Sequence, residues 1–128
     1  MYKQAITIGA ILAALAVILG AFGAHGLKSL VTPERLQVFE TGVRYHFYHS
    51  IALIIAGILY AQYPVRQMKL ATLLFIIGIA LFSGSLYAIV FSGIYGGSIG
   101  PLGVLTPIGG VFFIIAWVLM AIGVMRKA

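Results

Sequence analysis

The sequence predicts an all-α membrane protein of four transmembrane helices, two tandem helical hairpins with both termini cytoplasmic. Three observations predict it. Apolar residues make up 62% of the 128 and charged residues only 8%, with a mean hydropathy of +1.15. The charge-free stretches are long enough to cross a bilayer, and the breaks between them are rich in Gly and Pro. A soluble domain carries roughly 25% charged residues, because its outside faces water. The composition therefore excludes a soluble enzyme, a disordered tail and a nucleic-acid-binding module that depends on a basic surface. The lipid bilayer is the expected partner, and nucleic acid is not.

A single domain over residues 1–128 is expected. Its first span covers residues 5–23, and nineteen helical residues reach about 28 Å, near the roughly 30 Å of bilayer hydrocarbon. A signal peptide would also place a basic residue before an apolar run. Its run is usually about 7–15 residues, however, and three more spans follow, so residues 5–23 read as retained.

The second helix is expected to begin at Thr32-Pro33. Thr accepts a free N–H at the N-cap, and Pro has no N–H to leave unpaired. Residues 33–44 carry Glu34, Arg35, Gln37, Glu40 and Arg44 among Leu36, Val38 and Phe39. This amphipathic extension lies on the membrane surface or continues the helix outward. Glu40 and Arg44, four residues apart, are placed to pair. The second span follows over about 45–63 and the third over 70–91. Gly93, Gly96, Gly97, Gly100, Pro101, Gly103 and Pro107 then break the charge-free run before a fourth span at 108–124. Bare backbone is not tolerated in lipid, so this break lies at the interface or under protein.

Orientation follows from the cations, which give a formal net charge of +6 against Glu34 and Glu40. One side holds Lys3, Arg66, Lys69, Arg126 and Lys127, the other Lys28, Arg35 and Arg44. The richer side is cytoplasmic. The chain has no cysteine, so a disulfide, a thiolate metal site and a thiol nucleophile are all excluded.

The two outer connections read alike. The first holds the glycine-rich stretch Gly20, Gly23 and Gly26 with His25, and ends in Leu30-Val31-Thr32-Pro33. The second runs from Gly93 to Gly100 and ends in Val104-Leu105-Thr106-Pro107, a second expected helix start. The hairpins thus form a parallel repeat with its axis along the membrane normal. Ser98 stands where the first loop has His25.

The chemistry-bearing stretch is Thr41 to Ser50. At 100° per residue Arg35, Phe39, Gly42, His46, His49 and Leu53 share one face. With His25 at the end of span one, the three histidines can meet at the outer boundary, beside Arg44 and Ser50. Ionisable groups in a membrane protein mark function by default. Three imidazoles could hold Zn or Cu, line a small-ligand or ion site, or hydrogen-bond backbone carbonyls as structure. His46 and His49 share a helix and cannot both be axial ligands of one haem, and no cofactor is expected. Enzyme signatures are missing: there is no Asp and no His-Glu-x-x-His pair. Gly78, Ser83, Gly84 and Ser85 fit close helix packing better than catalysis. No span carries a carboxylate for proton-coupled export, and four helices enclose a pathway only as an oligomer.

The motifs Gly20-Ala-Phe-Gly-Ala-His-Gly-Leu27, Thr41-Gly-Val-Arg-Tyr-His-Phe-Tyr-His49, Phe82-Ser-Gly-Ser-Leu-Tyr87 and Pro107-Ile-Gly-Gly110 with Trp117 resemble, in order and spacing, domain-of-unknown-function family 423. This is a family of small bacterial inner-membrane proteins, with eukaryotic relatives among transmembrane protein 256. The resemblance implies a four-span, multi-pass protein of the plasma membrane and brings no catalytic residues. The expected role is a non-enzymatic membrane component acting through helix packing, as a homo-oligomer or with another membrane protein. The alternatives are a channel or transporter using the His-rich outer site, and a metal-binding subunit.

Overall fold

The computed structural model describes residues 1–96 and 100–126. Gly97, Ser98 and Lys127, used above in the loop comparison and the charge count, lie outside the described residues. Among these residues the chain is helical without strands: α1 Lys3–Ala24, a 3-10 turn Leu27–Ser29, α2 Pro33–Leu59, α3 Arg66–Ile94 and α4 Leu102–Arg126. α1, α3 and α4 are long and apolar enough to cross a membrane. α2 falls short of that measure because Arg44, His46, His49 and Ser50 stand in its apolar half.

α1 packs along α2 and α3 along α4, while α2 and α3 form the central seam between the hairpins. Lipid tails are as apolar as the side chains, so these contacts depend on close packing rather than on escape from water. The residues at the seams are accordingly small. Every buried residue of α1 is Ala or Gly: Ala5, Gly9, Ala16 and Gly23. Added carbon at Gly9 would stand 3.0 Å from the Ser50 carbonyl, and at Gly23 it would meet the Phe39 ring. At the far end the Tyr2 N–H donates to the Gly57 carbonyl at 2.8 Å. α1 and α2 therefore run antiparallel in register over the whole of α1. α4 likewise buries the small Gly109, Ala116 and Gly123, with Phe113 as the large exception.

α3 is one helix with a π-helical segment at Ile79–Ser83. The wider turn bulges toward α4, where Gly109 passes so closely that a Cβ would lie 2.8 Å from the Phe82 Cα. Such single-turn insertions are uncommon and cluster at functional or closely packed places.

Several boundaries differ from expectation. Residues 33–44 continue α2 without a break, and α2 ends at Leu59 rather than 63. Beyond it the Gln62 and Tyr63 N–H groups both donate to the Leu59 carbonyl as turns, and Pro64 keeps Tyr63 out of the helical region. At the start of α2 the Thr32 hydroxyl accepts the Arg35 N–H, with Pro33 in the first turn. Thr106-Pro107 does not start a helix: α4 begins at Leu102, with Pro107 inside it. Gly100 (φ +50°) and Pro101 turn the chain there instead, and the Val104 N–H donates to the Pro101 carbonyl. Pro107 is the sixth residue of α4, past the first turn, so it supplies no N–H to the Gly103 carbonyl one turn earlier.

The core has two parts. Ala52, Leu53, Ala56, Met68, Phe75 and Phe113 fill the middle and the end nearer the termini. Leu27, Phe39 and Val90 fill the loop end, where Phe39 lies against Tyr87 and edge-on to Phe91.

Candidate functional site

The site grows from one face of α2. Helical spacing brings Phe39, Gly42, His46, His49 and Leu53 onto a single stripe, and that stripe is buried between α1, α3 and α4. Arg35, at the outer end of the stripe, is half-buried. Its guanidinium lies over Gly93 and donates to the Ile89 carbonyl at 3.2 Å, placing a cation at the C-terminal end of α3.

His49 is 6% exposed and fully engaged. Nδ1 lies 2.7 Å from the Tyr45 carbonyl, which only accepts, so Nδ1 carries the proton. The Trp117 indole N–H, which only donates, points to Nε2 at 3.1 Å, so Nε2 carries the lone pair. The two bonds together select one neutral tautomer. The ring stacks on Phe113 at 3.6 Å and 9°, with Phe75 and Trp117 around it. Gly78 makes room for this stack, because a Cβ there would run into the Phe113 ring.

His46, one turn earlier and 2% exposed, is engaged on one side only. Nδ1 is 2.9 Å from the Tyr87 hydroxyl. Nε2 has no partner within hydrogen-bonding geometry, although the Leu12 carbonyl of α1 faces it. A buried imidazole nitrogen without a partner is costly. Around the pair, hydroxyls bind backbone carbonyls: Ser50 that of His46 and Ser83 that of Gly42, both at 2.7 Å. Ser85 reaches the Phe82 carbonyl and the Thr106 hydroxyl.

The remaining expected members are elsewhere. His25 caps the end of α1 and is exposed, and no three His, Cys, Asp or Glu converge on a metal-sized position among the described residues. The meeting of three imidazoles is therefore corrected to a pair: similar depth in the membrane is not proximity. Arg44 is exposed beside Val17, Phe47 and Tyr48, because two residues before His46 is about 200° round the helix. It makes no ion pair with Glu40. Gly20 and Gly23 face Val43 and Phe39 across the α1–α2 seam, whereas Gly26 faces Phe22 of its own segment. Gly84 opens onto empty space and packs against nothing. Sequence reasoning did not single out Trp117, Tyr87 and Phe113 as the partners of the two imidazoles, nor Gly109 at the π turn. Their contacts bridge 41 to 68 residues of chain, and no local pattern encodes them.

Four long helices, three of them apolar enough to span, with polar groups turned into the bundle, define an α-helical membrane protein. The comparisons with known proteins make this specific. The family model described as protein of unknown function DUF423 matches residues 19–110. The UPF0382 membrane protein YwdK of Bacillus subtilis is 42% identical, over 97% of this chain and 98% of its own. A UPF0382 membrane protein of Staphylococcus aureus is 40% identical over 98% of each chain, and one of Haemophilus influenzae 37% identical over 96% and 94%. The chain belongs to the DUF423 family of membrane proteins. No solved structure matches it.

Proposed function

We propose that the chain is a non-catalytic, multi-pass component of the bacterial inner membrane, with four spans and cytoplasmic termini, that acts through helix packing with like copies or another membrane protein. The carrying observation is His49: both ring nitrogens and one ring face are occupied within the chain, leaving neither nitrogen for a substrate. The fourth span is supported by register. α2 lies beside α1 from Tyr2–Gly57 to Gly23–Phe39, so a membrane crossed by α1 is crossed by α2. The cation-rich end supports the orientation.

Native mass spectrometry of the protein in mild detergent, wild type beside His46→Ala, tests the reading together with a solute-flux assay in liposomes. An oligomer of the chain or a stable partner complex, with no flux above empty liposomes, is the expected result. A solute flux abolished by His46→Ala with assembly intact overturns it. One observation favours that second reading of a small-solute or ion path: the unpartnered Nε2 of His46 beside the Tyr87 hydroxyl.

A further inference from the structure

At the end of the molecule that carries the chain termini, α1 and α3 diverge and leave a groove of about 290 Å³. Its two ends differ in chemistry. Arg66 and Lys69, one helical turn apart in the first turn of α3, line one end with Gln4. Further along α3 come Leu70, Leu73 and Ile76, with Ile8 of α1 also lining the groove. From Arg66 to Ile76 is about 15 Å along the axis. The order is cation first and apolar chain after, which is how a phospholipid is arranged from headgroup to tail.

Charge strengthens the match. The only acidic side chains, Glu34 and Glu40, lie on the outer part of α2 at the opposite end, so no acidic side chain lines the groove beside the two cations. Lys69 is held at this end of the groove, with its ammonium 5.5 Å from the centre of the Tyr2 ring. α3 starts there without a side-chain cap, and its free N–H groups add positive partial charge. Basic pockets between spans at this level take anionic lipid headgroups.

We propose that this groove binds one anionic phospholipid, its phosphate between Arg66 and Lys69 and an acyl chain against Leu70, Leu73 and Ile76. The site depends on the membrane location of the chain and not on its non-catalytic role. It is therefore tested apart from the reading above.

The test uses the full chain in mild detergent, titrated with dioleoyl phosphatidylglycerol or dioleoyl phosphatidylcholine and read by native mass spectrometry. One phosphatidylglycerol is expected to stay bound to the wild type, and phosphatidylcholine is not. The Arg66→Gln/Lys69→Gln double variant is expected to bind about 30-fold more weakly, from about 1 kcal/mol per cation near an anionic surface. Both side chains are exposed, so the variant keeps its fold. Arg44→Gln, at the other end, is expected to bind as the wild type does. Equal retention of the two lipids, an unchanged double variant, full displacement by inorganic phosphate, or a second copy of the chain in place of lipid would each overturn the proposal.

Discussion

His46 and His49 stand one turn apart on the buried face of α2, yet the two sides of the molecule complete them differently. Toward α4, His49 meets a donor, an acceptor and a ring to stack on. Toward α1, His46 has the Tyr87 hydroxyl of α3 on one nitrogen and an unpaired Nε2 facing a seam of Ala and Gly. Small residues let α1 approach closely, but they bring no side-chain donor or acceptor with them. The α1 seam offers His46 only backbone, the Leu12 carbonyl, whereas the α4 side, with Phe113 and Trp117, offers His49 a ring and a side-chain donor.

The comparison can be broken most directly at His49. His49→Ala removes the stack on Phe113 and leaves the Trp117 N–H without its partner inside the chain, which is expected to cost about 3 kcal/mol. Detergent-titrated unfolding followed by the fluorescence of Trp117, the single tryptophan, measures it. A cost below about 1 kcal/mol would show that the α4 side is not the better-completed one. Trp117→Phe keeps a ring but deletes the donor, for an expected loss of about 1 kcal/mol read by helical circular dichroism. The smallest effect sharpens the contrast. His46→Leu and Tyr87→Phe are each expected to cost about 1 kcal/mol, and the double variant less than either, because no orphan is left. Strictly additive costs in that double-mutant cycle would mean that the 2.9 Å contact contributes nothing.

Much of this was legible where the signal is local. The Thr32-Pro33 start of α2 is a matter of four consecutive residues, and the buried face through Phe39, Gly42, His46, His49 and Leu53 follows from 100° spacing alone. The same dipeptide misled at Thr106-Pro107. A helix start and a proline inside the second turn look identical in sequence, and the deciding turn at Gly100-Pro101 lies upstream. Grouping His25 and Arg44 with the histidine pair failed for another reason: depth along the membrane was legible, but angle around the bundle was not. Trp117, which selects the tautomer of His49, is 68 residues away, and only the packed bundle connects them.

The π segment at Ile79–Ser83 carries a last consequence. An extra residue in one turn offsets the phase of everything after it by about 100° relative to a regular helix. Tyr87, Val90 and Ile94 meet α2 only because of that offset. Deleting one residue between 79 and 83 would leave the hydropathy of the span intact and rotate this outer half away from His46 and Phe39. Two homologous chains that differ by one residue in this stretch would align well as sequences and yet present different faces to the outer half of the bundle.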